Sequence, residues 1–363
     1  MLKTIYFTVT NDLNYDQRMI RICGSLTAAG YKVFLVGRSM AGSLPLVPRP
    51  FEQKRISCWF NKGFGFYAEY NLRLLWVLIF RKMDLICAID LDTILPCYVI
   101  STLRSKRRVY DAHELFCEMK EISTRPGIYR FWKMIERIFV PRFSAGYTVN
   151  QIIADEFQKM YGVKYEVIRN VPRQSCGVSN SQNEKVILYQ GAVNEGRSFE
   201  TLIPAMQNVR ARLIICGDGN FMPQLNQLIA FYGLDQKITL KGRLLPEELK
   251  KLTPQAYLGI TLFDNSALSN YYSLANRFFD YVNAGIPQLC VDYPAYREIN
   301  EQFEVSLLIR DLSPENIALS LNNLLKDEVL YKKLRQNCAM AAKLLNWENE
   351  EKKLLAFYQK LMN

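Results

Sequence analysis

Short apolar runs alternate with longer amphipathic stretches along the whole chain, a pattern typical of helices packed on parallel β-sheets. In the first half, the apolar runs predict strands near residues 3–10, 32–37, 84–89, 107–111, 145–149 and 165–168. The helical periodicity between them predicts helices at about 16–29, 65–82, 92–104, 128–142 and 151–160. The first half is therefore predicted to form a doubly wound α/β unit.

The same rhythm begins again after residues 175–184, a stretch rich in glycine, serine, asparagine and glutamine without any apolar period. Strands are predicted near 185–190, 211–216, 237–241, 256–260, 287–291 and 305–308. Helices are predicted at about 198–208, 220–232, 246–251, 275–284, 294–301, 314–325 and 327–343, with a last one after Trp347. We predict an N-terminal domain over 1–170, a linker over 171–184, a C-terminal domain over 185–345 and a terminal helix over 346–363, for which packing against the N-terminal domain is one option.

Length and composition agree with two domains, because one hydrophobic core seldom grows beyond roughly 250 to 300 residues. The chain has 363 residues, of which 49% are hydrophobic and 22% charged. Two doubly wound units in tandem leave a cleft at the carboxyl ends of their strands, where the ligands of such sheets bind. The expected fold class is therefore α/β, with two Rossmann-like domains facing each other across a cleft.

The basic excess narrows the binding partners to anions, since 46 lysines and arginines against 35 acidic residues give a net charge of +11. Acidic lipids and phosphorylated small molecules remain open, whereas dispersed basic residues without a known binding module predict no nucleic acid partner. Nine cysteines without a Cys-x-x-Cys pair indicate free thiols in the reducing cytoplasm. The N-terminus lacks a signal-peptide core, and the apolar run 74–80 is far shorter than the roughly 20 residues of a membrane span.

Glycine turns at strand ends in the second half are suited to bind an anion. Gly191 begins such a turn, and Arg197 at its end offers a planar fork of donors for phosphate. An ordinary turn with a solvated arginine is the alternative for this segment. Gly217 follows the next predicted strand but lacks the third glycine of a dinucleotide fingerprint, and the chain has no Walker loop. Hydride transfer and ATP hydrolysis are therefore disfavoured.

Further along, Arg243 follows a strand and a glycine turn, and a polar loop leads through Ser273 and Leu274 into a helix that carries Asp280. Ser273 is a candidate helix cap, and the amides beside it would form an anion site. Asp280 is a candidate acceptor of hydrogen bonds from a sugar hydroxyl.

The only histidine of the chain, His113, lies where the predicted strand 107–111 ends. A single histidine excludes a multi-histidine metal site. Asp90-Leu91-Asp92 follows the neighbouring predicted strand, and an Asp-x-Asp pair of this kind binds metal in some proteins. Its position in a doubly wound unit favours loop capping or acceptor contact instead, so we predict no metal ion and take Asp92 as an acceptor-side candidate.

In this order, these segments resemble the retaining glycosyltransferases of family 4, which have the GT-B fold. The resemblance spans nearly the whole chain, from the loop at Asn11–Arg18 to the terminal helix. It implies that a nucleoside diphosphate sugar binds the second domain and the acceptor binds the first. It also implies that the donor is held by Gly191, Arg197, Gly217, Arg243, Asp280 and the amides of Ser273 and Leu274, and that His113 reaches the donor sugar and phosphate.

Three departures from the family pattern bear on these roles. Ala192 stands where the family usually has arginine, so phosphate binding would depend more on Arg197. Tyr272 replaces the first of the family's two glutamates, and Asp280 replaces the second. The loop Asn11–Arg18 replaces a glycine-rich loop. We take its charged residues as candidates for contact with the acceptor, with a structural role as the alternative: Asp12, Asp16 and Arg18.

Aromatic and basic residues alternate between Cys58 and Lys82 on a predicted helix. Burial against the first sheet explains part of this segment. The alternative for the rest is a surface in peripheral contact with an anionic membrane, to which the basic run from Arg104 to Arg108 would add charge. This surface would place a cytoplasmic protein at the inner face of the membrane.

We therefore expect a glycosyltransferase without metal or cofactor that moves a sugar, with retention, from a nucleoside diphosphate to a glycan or lipid-linked glycan hydroxyl, as in polysaccharide biosynthesis. His113 and Arg197 are the expected catalytic residues, and Arg197 with nearby amides would stabilise the leaving diphosphate. The alternatives are a nucleotide-sugar epimerase or hydrolase of the same architecture, and a catalytically degenerate subunit that binds nucleotide or glycan.

Overall fold

The structure, a computed structural model, describes residues 2–174 and 185–362. The chain divides into two compact units, the first formed by 1–170 and 350–363 and the second by 171–349. Most of the predicted linker, together with Cys176, lies outside the described residues.

The first unit is built on one parallel sheet. Its strands are β1 Thr4–Thr8, β2 Lys32–Ser39, β3 Glu52–Ser57, β4 Leu85–Ile89, β5 Arg107–Ala112, β6 Gly146–Thr148 and β7 Glu166–Val167. They are ordered β3-β2-β1-β4-β5-β6-β7, and each pairing is parallel. The chain reverses its winding direction at β1, so β1 and β4 flank the switch point at which such sheets bind ligands.

Six helices are described between these strands: α1 Gln17–Ala28, α2 Gly63–Ile79, α3 Ile94–Leu103, α4 Lys120–Ser123, α5 Pro126–Phe139 and α6 Gln151–Tyr161. Asp16 caps α1, because its carboxylate accepts a hydrogen bond of 3.0 Å from the amide of Met19. Asn150 caps α6 in the same way through the amide of Ile153, at 2.9 Å.

The second unit repeats this architecture with the strands β8 Val186–Gln190, β9 Arg212–Cys216, β10 Ile238–Gly242, β11 Leu258–Thr261, β12 Gln288–Val291 and β13 Ser306–Ile309. They form a parallel sheet in the order β10-β9-β8-β11-β12-β13. The helices are α7 Phe199–Ala205, α8 Met222–Phe231, α9 Pro246–Leu252, α10 Leu268–Tyr271, α11 Asn276–Asn283, α12 Pro294–Phe303, α13 Pro314–Lys326, α14 Glu328–Ala342 and α15 Trp347–Met362.

One strand was not predicted from the sequence. β3 lies at the edge of its sheet and pairs only with β2. Of its six residues only Ile56 is buried, so the segment has no apolar run for a pattern analysis to detect. The short helices α4 and α10 were missed as well, because one helical turn is too short to show a 3.6-residue period.

The last helix belongs mostly to the first unit, which includes residues 350–363. The ring of Tyr358 packs against those of Phe7 and Tyr147, with centroids 6.0 and 6.3 Å away. Its hydroxyl lies 3.2 Å from the hydroxyl of Tyr147, in a fully buried environment. The buried carboxylate of Glu350 accepts a hydrogen bond of 3.0 Å from the amide of Arg169.

Eight cysteines lie in the described part of the chain, all as free thiols, and seven of them are buried. Over the same residues, no helix combines the length and the apolar character that crossing a bilayer requires.

Replacing Tyr358 by alanine should destabilise the first unit by about 3–5 kcal/mol, the usual cost of removing a buried aromatic ring. The measurement is the free energy of unfolding from chemical denaturation. Leu319→Ala, at a side chain 69% exposed on α13, should change it by less than about 0.5 kcal/mol. Equal effects of the two variants would contradict the packing of α15 against the first sheet.

Candidate functional site

Two groups of the predicted site residues are brought together, one in each unit. In the first unit, Asp90 follows β4 and His113 follows β5, and these two strands are parallel neighbours. Their carboxyl ends therefore meet at one edge of the sheet. We call the group formed there by Arg18, Asp90, Asp92, Asp111 and His113 the histidine cluster.

A buried ion pair underlies the histidine cluster. Nε and Nη2 of Arg18 donate to the two carboxylate oxygens of Asp111, at 3.1 and 2.8 Å, and Nη1 donates to the carbonyl of Ile168 at 2.9 Å. The side chains of Arg18 and Asp111 are 1% and 0% exposed. Burial alone would raise the pKa of Asp111, but Arg18 and His113 hold it below its ordinary value. Arg18 therefore pairs with a buried carboxylate, and its contacts favour a structural role over contact with the acceptor.

Two carboxylates hold the imidazole of His113. Nε2 lies 3.2 Å from Asp111 and Nδ1 lies 3.4 Å from Asp90, whose other oxygen accepts a hydrogen bond of 2.8 Å from the amide of His113. Burial disfavours the charged ring, but the two carboxylates outweigh it and raise the pKa of His113 to about 9. The imidazole is therefore a cation at neutral pH, with one-fifth of its side chain exposed.

The two aspartates of Asp90-Leu91-Asp92 have different environments. Asp90 has a φ of 54°, an uncommon backbone conformation for a residue other than glycine. Burial raises the pKa of Asp90 to about 6, and burial with the charge of Asp90 raises the pKa of Asp92 to about 7. Oδ2 of Asp92 accepts a hydrogen bond of 2.5 Å from Thr10, whereas its buried Oδ1 has no hydrogen-bond partner.

The acceptor-side candidates Asp12 and Asp16 organise the first loop. Asp12 is 3% exposed and accepts hydrogen bonds of 2.5 Å from both Arg55 and Ser43. Asp16 caps α1 and accepts a further hydrogen bond of 2.9 Å from Asn11. These contacts give both carboxylates a structural role.

In the second unit, the predicted glycine turns pack directly on each other. Gly191 follows β8 with a φ of 128°, and a Cβ on Gly217, after β9, would lie 1.8 Å from the carbonyl oxygen of Gly191. Only glycine fits at Gly217, because a side chain would collide with backbone. The two turns thus bring the ends of β8 and β9 into contact.

Two arginines share one aromatic ring beside the Gly191 turn. The guanidinium carbons of Arg197 and Arg277 lie 4.6 and 4.4 Å from the centroid of Phe263. Arg197 donates to Asn270 at 3.0 Å, and Arg277 lies against the ring and hydroxyl of Tyr189. Within the described residues neither arginine makes an ion pair with a carboxylate. We call Arg197 and Arg277 the arginine pair.

Arg277 was not among the predicted site residues. Its side chain is 6% exposed, and a Cβ on Gly191 would lie 3.1 Å from its Nη1. A buried arginine without a carboxylate favours an external anion, because two cations at one ring repel each other. The feature of the sequence that could have identified Arg277 is its position on the same amphipathic helix as Asp280.

The prediction for Ser273 is wrong in part. Ala275, not Ser273, is the N-cap residue of α11, and it provides no side-chain cap. The amide of Ser273 donates to the carbonyl of Asn270 at 3.2 Å, and its hydroxyl donates to the same oxygen at 2.7 Å. The residue closes the turn after α10. The amide of Leu274 has no hydrogen bond within the described residues and can still serve an anion.

The two remaining candidates lie at the same end of the second sheet. Asp280 on α11 accepts a hydrogen bond of 2.8 Å from Gln190, the last residue of β8. Arg243 follows β10 directly and is exposed. In the part of the chain that the structure describes, no three histidine, cysteine, aspartate or glutamate side chains are arranged to hold a metal ion.

Because the chain has a single histidine, the pKa of the imidazole in the histidine cluster can be measured without overlap from other histidines. We expect the imidazole signal in NMR spectra to titrate with a pKa of about 9, and Asp90→Asn to lower this pKa because a carboxylate 3.4 Å from Nδ1 is lost. Asp155→Asn, at an exposed position on α6, should leave it unchanged. Titration of the wild type near 6.5 would contradict the geometry.

The same pKa shift predicts a pH dependence of stability. Since the pKa in the folded state lies above the ordinary 6.5, the charged ring stabilises the fold fully below about pH 6.5. This contribution is lost as the pH rises through 9.

Comparison with known proteins gives a match for the second unit. Residues 177–344 match the family model of Glycosyl transferases group 1. A comparison with curated protein sequences finds no match.

Solved structures match nearly the whole chain. Sucrose-phosphate synthase from Thermosynechococcus elongatus aligns with a TM-score of 0.80 at 15% identity, over 99% of both chains. The Anabaena protein HepE, in complex with UDP-glucose, aligns with 0.77 at 14% identity, over 98% of this chain and 99% of that one. WaaG, a glycosyltransferase involved in lipopolysaccharide biosynthesis, aligns with 0.68 at 16% identity, over 96% and 98%.

At these identities the likeness establishes the fold, and the predicted fold class is confirmed: two parallel-sheet α/β domains of the GT-B type. Together, the fold and the family match of the second unit support a glycosyltransferase with the GT-B fold.

Proposed function

We propose that the protein is a retaining glycosyltransferase of family 4 that moves a sugar from a nucleoside diphosphate to a hydroxyl of a glycan or lipid-linked glycan. The observation that carries the proposal is the arginine pair, two cations without carboxylate partners at the Gly191 turn. A diphosphate is the anion that suits two neighbouring guanidinium groups, since its two phosphates offer one negative group to each cation. HepE has been solved with UDP-glucose, a donor of this class.

The arginine pair also compensates for Ala192, which stands where the family usually has arginine. The missing arginine would have stood next to Gly191, and Nη1 of Arg277 lies 3.1 Å from where a Cβ on Gly191 would be. Arg277 thus provides a second guanidinium from α11 in place of one from the turn. This substitution favours a functional donor site over a degenerate binding subunit.

In the proposed reaction, the acceptor oxygen bonds to the anomeric carbon as the bond from that carbon to the diphosphate oxygen breaks. The arginine pair and the amide of Leu274 stabilise the negative charge that develops on the diphosphate, without metal or cofactor. The departing phosphate takes the acceptor proton on the same face, so the configuration is retained. We assign His113 to this step as an imidazolium that acts through its positive charge, because it is charged at neutral pH and both of its ring nitrogens are held by carboxylates.

Arg197→Ala and Arg277→Ala should each weaken binding of UDP by roughly 10- to 150-fold, the value of charged hydrogen bonds of about 1.5–3 kcal/mol. The measurement is titration calorimetry, after a thermal-shift screen of nucleoside diphosphates and their sugars has chosen the base. Both variants and His113→Ala should lower transfer sharply, and EDTA should leave wild-type transfer unchanged.

Arg335→Ala, at an exposed position on α14, is the matched control for loss of one positive charge. Wild-type turnover in the His113 or Arg197 variant would remove that residue from catalysis. Donor consumption without acceptor would favour an epimerase or hydrolase, and nucleotide binding without any turnover would favour a degenerate subunit.

We also propose that this cytoplasmic protein makes peripheral contact with the inner face of an anionic membrane. Five aromatic side chains in or beside α2 are more than half exposed: Trp59, Phe60, Phe64, Trp76 and Phe80. We call them the exposed aromatic residues. The guanidinium of Arg73 stacks on Trp59, with its carbon 4.7 Å from the ring centroid. Aromatic rings with neighbouring cations are the combination that binds an anionic bilayer surface.

Trp76→Glu combined with Phe80→Glu should abolish sedimentation with vesicles that contain phosphatidylglycerol, because both side chains are about 70% exposed. Phe231→Glu, on an 80% exposed side chain of α8, is the control and should sediment like the wild type. Equal absence of wild-type binding to neutral and anionic vesicles would exclude the membrane contact.

A further inference from the structure

The side chain of Asn270, on the short helix α10, lies beside the arginine pair in the second unit. Its amide oxygen Oδ1 accepts a hydrogen bond of 3.0 Å from Nη1 of Arg197. Its amide nitrogen Nδ2 donates to the carboxylate of Asp264 at 3.3 Å and to the carbonyl of Gly196 at 3.4 Å. Asn270 therefore connects the guanidinium of Arg197 to the backbone of the turn that carries it.

The neighbours of Asn270 allow only one orientation of its amide. A guanidinium can only donate hydrogen bonds, whereas a backbone carbonyl can only accept them. Rotating the amide by a half turn would bring its NH2 group to Arg197 and its oxygen to the carbonyl of Gly196, and both hydrogen bonds would be lost. The amide oxygen is therefore fixed towards Arg197.

The backbone on both sides of this contact is also held in place. The amide of Asn270 donates to the carbonyl of Ala267 at 3.0 Å, and its carbonyl accepts from the amide and the hydroxyl of Ser273 at 3.2 and 2.7 Å. Gly196 has a φ of 83°, and a Cβ on it would lie 2.7 Å from Nδ2 of Asn270. A side chain at Gly196 would displace this amide, and the positive φ favours glycine at the same position.

The arginine pair is oriented by neutral groups. Arg197 donates to the amide oxygen of Asn270. Arg277 donates to the hydroxyl of Tyr189 at 3.3 Å and to the carbonyl of Leu262 at 3.4 Å. In the part of the chain that the structure describes, these are the hydrogen bonds of the two guanidinium groups. Because no acceptor among them carries a charge, both guanidinium groups keep their full positive charge for an anion.

We propose that Asn270 is a positioning residue for the donor diphosphate: its amide oxygen orients the guanidinium of Arg197 at the Gly191 turn without neutralising its charge. A carboxylate at this position would also accept a hydrogen bond from Arg197, but it would cancel the charge that binds the anion. An aliphatic residue would leave the guanidinium free to rotate. This role rests on the proposed donor site, because Asn270 acts on the nucleotide only through Arg197.

A double-mutant cycle tests whether Asn270 acts through Arg197. Asn270→Ala should weaken binding of UDP by about three- to tenfold in titration calorimetry, because the hydrogen bond that orients the guanidinium is lost. Arg197→Ala already removes the guanidinium, so adding Asn270→Ala to it should change the affinity by less than about twofold. Equal weakening in both backgrounds, or none in either, would overturn the proposal.

Asn270→Asp tests whether the partner of Arg197 must be neutral. The introduced carboxylate keeps an acceptor for Arg197 but pairs with its charge, so this variant should bind UDP about tenfold or more weakly than the wild type. It should also bind UDP more weakly than Asn270→Ala. The reverse order of these two variants would show that only the hydrogen bond matters and would refute the requirement for a neutral partner. Gln336→Glu, the same change of charge at an exposed position of α14, should bind UDP like the wild type.

The wild type separates this role from the proposed donor site. If the wild type binds UDP and the cycle shows no coupling between Asn270 and Arg197, only the role of Asn270 is refuted. If the wild type binds no nucleoside diphosphate, the donor site itself is refuted. Affinities are compared at a temperature at which thermal unfolding shows every variant to be folded, so that a lost affinity reports on the site.

Discussion

The ion pair between Arg18 and Asp111 is the interaction on which the first unit and its chemistry depend. It joins α1 to β5, and the same guanidinium reaches the carbonyl of Ile168 after β7. Removing one partner of such a buried pair leaves an uncompensated charge, at a cost of about 3–5 kcal/mol. The carboxylate that neutralises Arg18 also holds His113 at 3.2 Å. Fold stability and the orientation of the only histidine therefore have one origin.

Local patterns predicted nearly all the sheet and helix positions but could not predict this ion pair. Strands buried on both faces are continuous apolar runs, as in β4, whereas the edge strand β3 has a single buried residue and no pattern. Asp111 lies near the end of β5, and its partner is 93 residues away. His113 could be predicted because a polar residue at the end of a strand is a local signal. Its two carboxylate neighbours depend on strand order, which the pattern does not contain.

In the second unit, too, local patterns predicted some site residues but not the contacts between residues distant in sequence. Gly191, Arg197 and Asp280 were predicted from turns and helix positions, and they lie at one end of its sheet. Arg277 was missed because its environment is formed by Tyr189 on β8 and Phe263 in the loop after β11, both far from it in sequence. Ser273 was wrong as a cap because α11 begins only at Asn276, with Ala275 as its N-cap residue, and the hydroxyl of Ser273 donates to Asn270 instead. A local motif can identify a donor group but cannot show whether the fold already uses it.

Both units hold buried polar groups without a full set of partners. In the second unit two guanidinium groups lie together without a carboxylate, and in the first unit the side-chain oxygens Oδ1 of Asn71 and Asp92 have no hydrogen-bond partner. Burying such groups costs free energy, which the rest of the fold must offset. The proposed donor site would give the arginine pair a function, because a diphosphate would supply the negative charge that the second unit does not provide there.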